Sequence, residues 1–184
     1  ASGQLGFTSI PATIASLAGK SVGGNRVTVQ ASLAAETQAD ARSVTFQIRA
    51  AGTSAWTDIR PADFQQSNPD MSAPYAIQWD ADAQGPGAYE LRALATDGTG
   101  SAATAAAVAG VTVLGAGQTP DILERVVAGR VELKQLISNS TTTTISVTGN
   151  GTQAGAVGVV LAAGALTSST VPATVVANPA IPAP

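Results

Sequence analysis

Cysteine and histidine are both missing from this 184-residue chain. Without cysteine there are no disulfides, no thiolate chemistry and no Cys-based metal sites. Without histidine the commonest general base and the commonest transition-metal ligand are gone. Charge is scarce as well. Asp, Glu, Lys and Arg make up 11% of the residues, against a usual quarter, and Ala, Gly, Ser, Thr and Val fill the gap. The net charge is −3, and no basic cluster is present to meet a phosphate backbone, so a nucleic-acid partner is not expected. The longest apolar run, Ala154 to Leu166, is interrupted by Gly155, Gly158 and Gly164. It falls short of the roughly twenty residues a bilayer span needs.

Aromatic residues are few and unevenly placed. Phe7, Phe46, Trp56, Phe64, Tyr75, Trp79 and Tyr89 all lie in the first half. The bulky core anchors therefore belong to residues 1–90, and the second half must pack with Val, Ile, Leu and Ala. A mean hydropathy of +0.21 is too apolar for a disordered chain, so the whole is expected to fold.

The chain is rich in alternation. In Gly87-Ala-Tyr-Glu-Leu-Arg-Ala-Leu-Ala-Thr96, Tyr89, Leu91, Ala93 and Ala95 share one face and Glu90, Arg92 and Thr96 the other. Gly85-Pro86-Gly87 before it and Asp97-Gly98 after it are turn sequences. The same period recurs in Leu5–Ile10, Arg26–Leu33, Ser43–Arg49, Ala55–Ile59 and Tyr75–Trp79, and a closing strand is expected in Ala103–Leu114 with Val108, Val111 and Val113 inward. Seven strands without a helical period predict an all-β fold, a two-sheet antiparallel β-sandwich over residues 5–114. Gly115–Thr119 reads as a linker. Residues 120–176 read as a smaller β-rich domain, with strands expected at Arg130–Lys134, Ser140–Val147, Ala156–Leu161 and Thr170–Val176. Residues 177–184 read as an extended, Pro-rich tail. At 120–129 two readings stand: a short helix capped by Thr119 with Pro120 at its first position, or a strand.

The blocks Arg26-Val-Thr-Val-Gln-Ala, Val44-Thr-Phe-Gln-Ile, Pro74-Tyr-Ala-Ile-Gln-Trp-Asp80, Gly87–Gly100 and Val111-Thr-Val113 resemble the bacterial Ig-like domains of surface and secreted proteins. The resemblance implies an immunoglobulin-like sandwich, an extracellular or cell-surface location and no catalytic residue. No basic n-region with an apolar h-region opens the sequence, so any signal peptide is expected to have been removed or to belong to a longer precursor. Tyr89 stands where such sandwiches place a tyrosine corner, so its ring is expected to be buried with the hydroxyl bonded to nearby backbone.

Candidate chemistry is thin. No Gly-x-Ser-x-Gly elbow is present, and twelve acids spread along the chain single out no catalytic pair, so no enzyme is expected. No cofactor is expected beyond calcium, for which carboxylates are the only strong ligands on offer. Asp80 and Asp82 lie one strand away from Asp97, roughly 25 Å, and cannot share an ion with it. Asp58, Asp63 and Asp70 surround one loop and are the calcium candidates; the competing reading gives each Asp a turn or cap. Trp56, beside a hairpin, is the candidate for stacking on a sugar, while Tyr75 and Trp79 are expected in the core. Asn139-Ser-Thr141 and Asn150-Gly-Thr152 are glycosylation sequons. The run Thr141–Thr144 suits O-linked sugar or an ordinary edge strand.

These features describe a non-catalytic extracellular structural or adhesive surface protein, with self-association or neighbouring subunits as partners. Strands rich in Val and Thr and poor in charge leave sheet edges open to strand addition, as in a filament, sheath or surface layer. An accessory carbohydrate-binding or spacer module of a secreted enzyme, with a glycan partner, and a phage virion decoration protein are the alternatives.

Overall fold

The computed structural model describes residues 12–33, 40–97, 107–127, 130–138, 143–148, 156–161 and 170–177. The protein is all-β in these residues. In chain order the strands are β1 (Ala12–Thr13), β2 (Lys20–Gly23), β3 (Val27–Gln30), β4 (Ser32–Leu33), β5 (Ser43–Ala50), β6 (Thr57–Asp58), β7 (Ala76–Trp79), β8 (Gly87–Thr96), β9 (Ala109–Val113), β10 (Ile122–Val127), β11 (Arg130–Ser138), β12 (Thr143–Thr148), β13 (Ala156–Leu161) and β14 (Thr170–Ala177). A single helical turn, α1 (Ala81–Gln84), precedes β8; the Asp80 carboxylate caps it by accepting from the Ala83 N–H at 2.8 Å.

Eight strands form one sheet in the order β14-β11-β10-β2-β9-β8-β5-β6, while β3–β7, β1–β4 and β12–β13 are separate antiparallel pairs. The longest pairing in the first half joins β5 to β8 from Ser43↔Thr96 to Ala50↔Tyr89. Its inward row is the one the alternation marks: Val44, Phe46 and Ile48 on β5 meet Leu91, Ala93 and Ala95 on β8. Val27 and Val29 of β3 and Ile77 and Trp79 of β7 bury into the same cluster, together with Val111 and Val113 of β9. Tyr75 lies in that core with its hydroxyl donating to the Ala41 carbonyl at 2.8 Å.

The large sheet is mixed, which corrects the expectation of a purely antiparallel arrangement. β2 pairs in parallel with β9, Lys20↔Val111 to Val22↔Val113, and in parallel with β10, Ile122↔Val22 and Leu123↔Gly23. Lys20-Ser-Val-Gly carries one bulky apolar side chain ahead of a Gly-Gly turn, so it has no readable alternation. Residues 115–119 form a compact turn, with Gly117 at φ 85° and the Gln118 N–H donating to the Gly115 carbonyl. The chain beyond that turn returns to the same sheet, so pairing is continuous across the expected linker. Residues 122–127 are strand, and the helical alternative is set aside: the cap signal at Thr119–Pro120 is local, whereas pairing on both sides of β10 is worth more.

Other expectations shift in detail. Val108 is 48% exposed, because β9 turns Ala109, Val111 and Val113 inward and Val108 lies three residues, not two, from Val111. Tyr89 is half-buried rather than buried, although its hydroxyl does reach upstream backbone, the carbonyls of Gln84 (3.1 Å) and Gly85 (3.2 Å). The expected strand at Leu5–Ile10 and residues 178–184 of the tail lie outside the described residues. Strands at 130–138, 143–148, 156–161 and 170–177 appear close to where they are expected.

Register on β5 and β9 gives a direct check. Phe46→Ala, which empties a fully buried site, is expected to cost about 3–5 kcal/mol in urea unfolding. Val108→Ala should stay within about 0.5 kcal/mol. Comparable losses from the two substitutions would mean that Val108, not its neighbours, faces the core.

Candidate functional site

The carboxylates proposed for calcium do not converge. Asp58 accepts from the Gln47 amide at 2.7 Å, Asp63 from the N–H of Gln65 at 2.9 Å, and Asp70 from the N–H groups of Ser72 (3.1 Å) and Ala76 (2.8 Å). Each closes its own turn or strand contact, and among the described residues no group of three potential metal ligands is present. Asp82 likewise accepts from the Gly24 N–H at 2.7 Å. Asn139 and Asn150, the sequon residues, lie outside the described residues.

Trp56 is half-buried against the outward face of β5 and β8. The guanidinium carbons of Arg49 and Arg92 stand 4.4 and 4.2 Å from its ring centre. Arg49 also pairs with Glu90, and the Arg92 Nε–H donates to the Gln47 carboxamide at 2.8 Å. Partial burial, and the positive charge of Arg49 beside it, pull the Arg92 guanidinium below its ordinary range. The indole is thus already engaged by two cations, an arrangement that accounts for its position without a bound sugar. Tyr75 and Trp79, the other aromatics weighed, are core residues at 4% and 3% exposure.

A denser polar constellation, not marked by any motif, joins β10 to the first strands. Ser21 donates its N–H and its hydroxyl to one Asp121 oxygen, both at 2.8 Å. The Val126 N–H donates to Asn25 Oδ1 at 2.8 Å. Between these, Glu124 is 4% exposed and accepts from the Thr28 N–H (2.8 Å), the Thr28 hydroxyl (3.0 Å) and the buried Arg26 guanidinium (3.4 Å). The Glu124 carbonyl accepts from the Arg26 N–H as well, at 3.2 Å. Gly24 makes this approach feasible: a Cβ there would stand 1.9 Å from that carbonyl oxygen. The only sequence sign of the site is a charged pair, Glu124-Arg125, inside an otherwise apolar strand.

Desolvation dominates the ionisation of Glu124 and raises its carboxyl above the ordinary range, against the opposing pull of Thr28 and Arg26. Burial lowers the Arg26 guanidinium in the same way. Asp121 moves in the other direction, held low by its hydrogen bonds from Ser21.

At the far end of the large sheet, β14 pairs with β11 along its full length, Val131↔Ala177 to Ser138↔Thr170. No described strand lies on its other side. The segment Thr-Val-Pro-Ala-Thr-Val-Val-Ala contains no charged residue. No protein-family model matches the chain, and neither does any curated protein.

The Glu124 site can be probed in two ways. Glu124→Ala leaves the Arg26 charge buried without its carboxylate and is expected to lose roughly 3–5 kcal/mol. For Glu124→Gln the pH dependence is the readout. A raised folded-state pKa means that the folded protein takes up its proton before the unfolded chain does. The stability of the native protein over Glu124→Gln should therefore grow as pH falls from neutral toward the ordinary carboxylate range. Taking the difference between the two proteins removes the opposite contribution of Asp121. A margin that shrinks on acidification would show instead that Arg26 and Thr28 hold the carboxylate ionised.

Proposed function

We propose that this chain is a non-catalytic extracellular structural or adhesive surface protein that assembles by strand addition at β14. The single observation that carries the reading is the open edge of the eight-stranded sheet: eight residues long, paired on one side only among the described residues, and free of charge. Monomeric sheet proteins protect such edges with lysines, inward charges, prolines or very short strands, and of these β14 has only the single Pro172. The opposite edge of the same sheet is built that way, since β6 is two residues long and carries Asp58. Away from Pro172, such an edge can satisfy its free N–H and C=O groups by pairing with a strand of a second copy.

We also propose that the described residues between 12 and 114 belong to an immunoglobulin-like sandwich in which β3 and β7 form the strands facing the β9-β8-β5 part of the large sheet. The shared core of these strands and the Tyr89 hydroxyl bonded to backbone upstream support it. Residues 120–176 add the β-rich extension that carries the open edge.

Self-association is the test. Light scattering after size exclusion should show concentration-dependent oligomers or filaments of the full chain. Thr170→Lys/Thr174→Lys places two charges on one face of β14 and should shift the population to monomer, with unchanged far-ultraviolet circular dichroism. A native chain that stays monomeric across that concentration range would overturn the assembly reading.

A further inference from the structure

A groove on the outer face of the β3–β7 ribbon is built from carboxamides. Ile77 and Trp79 point into the core, which turns Gln78 of β7 to the other side, level with Thr28 in the register Thr28↔Gln78. Residues 65–74 pass over this face and enclose a cavity of about 420 Å³, lined by Gln30, Gln65, Gln66 and Gln78 among others. That volume lies at the lower end of ligand sites, roughly 300–1,000 Å³.

Gln78 is only 3% exposed, yet among the described residues its side-chain amide makes no hydrogen bond. Its backbone is fully engaged: the N–H donates to Gln66 Oε1 at 2.8 Å and the carbonyl accepts from the Ala62 N–H at 2.7 Å. A carboxamide has one acceptor oxygen and two N–H donors, and those of Gln78 open onto the groove rather than into a sealed core. The amide faces the groove, and groups in the groove are what would satisfy it.

The chemistry of the lining selects the ligand. Its one charged residue is Asp70, and both carboxylate oxygens already accept backbone N–H groups. The lining holds no cationic side chain to receive an anion, and its single carboxylate is committed to the backbone of the loop. The edge of β7 away from β3 is occupied at Gln78 and Trp79 by Ala62 and Pro61, and the Thr28 N–H of β3 donates to Glu124, so these backbone groups are not open to a peptide. The groove is left with a set of carboxamides that both donate and accept, and with Met71, 66% exposed, offering a polarisable apolar surface at the rim. Neighbouring sugar hydroxyls also both donate and accept, and a pyranose ring presents an apolar C–H face.

We infer that the Gln30–Gln65–Gln78 groove binds a neutral glycan. The site is separate from Trp56 and does not depend on assembly at β14. The test uses the full ¹⁵N-labelled chain, in which side-chain amides are observed directly, titrated with cellohexaose, maltohexaose, mannohexaose and chitohexaose at millimolar concentration. Polygalacturonate and a neutral Gly-Ser-Ala peptide are the controls. Saturable shifts of the Gln30, Gln65 and Gln78 amide signals are expected with at least one neutral hexasaccharide and with neither control. Gln30→Ala and Gln65→Ala, both at exposed positions where the fold is not at stake, should each weaken binding about tenfold, the equivalent of roughly one hydrogen bond. Silence with all four sugars, an equal response to either control, shifts centred on the Trp56 indole, or undiminished binding by both variants would each overturn the inference.

Discussion

The structure depends on a carboxylate in a dry place. Glu124 sits in the middle of β10 and reaches across to Thr28 and Arg26, while its own carbonyl takes the Arg26 N–H. This contact holds β10 parallel to β2, and everything C-terminal in the large sheet is added through β10: β11 pairs with it, and β14 pairs with β11. A buried ion pair is a poor source of net stability, because desolvation offsets most of the attraction. Its value here is positional. Sliding β10 by one residue would turn Glu124 to the other face of the sheet and leave Arg26 buried without it. Gly24 completes the constraint, since no other residue allows the two backbones so close.

Scarce charge is consistent with this pattern of use. Among the described residues several carboxylates act as internal fittings: Asp80 caps α1, Asp82 binds the N–H of Gly24, Asp121 ties down Ser21, and Asp70 closes the loop onto β7. Glu90 and Glu132 pair with Arg49 and Arg125. A chain that commits its few ions to its own backbone has little left for metal binding or for repelling its neighbours. Low charge overall, the lack of a three-carboxylate cluster among the described residues and a β14 without charged residues are thus facets of one economy.

Most strands are legible from local pattern, and the global arrangement is not. β5 and β8 announce themselves by alternation, and the inward faces of β3, β5 and β8 come directly from it. β2 escapes because Lys20–Gly23 is too short and too polar to alternate, and its partners, from Val111 on β9 to Leu123 on β10, lie far along the chain, where no local rule reaches. Glu124 carries no local mark of its depth for the same reason: burial of one strand by another is not written in either. The backbone contact of the Tyr89 hydroxyl is legible, yet the depth of the ring depends on what packs above it. Gln78 reads as an ordinary outward residue of an alternating strand. Its burial comes from residues 65–74, whose polar sequence marks a loop and gives no sign of where that loop comes to rest.

The central position of β2 has a consequence for how the chain reaches this state. β2 is the second strand in sequence, yet its neighbours on both sides, β9 and β10, come late. A chain emerging from its N-terminus can close β5 onto β8 early, but β2 must wait, with both edges open, until residues 109–127 have appeared. Pairings of such wide sequence separation demand large loop closures and form slowly. During that interval the protein is a half-sheet with its middle missing, the state in which unpaired strands are most exposed to wrong partners. Completion of the sheet is therefore a late, near-simultaneous event, and it is the arrival of β10 that ends the vulnerable period.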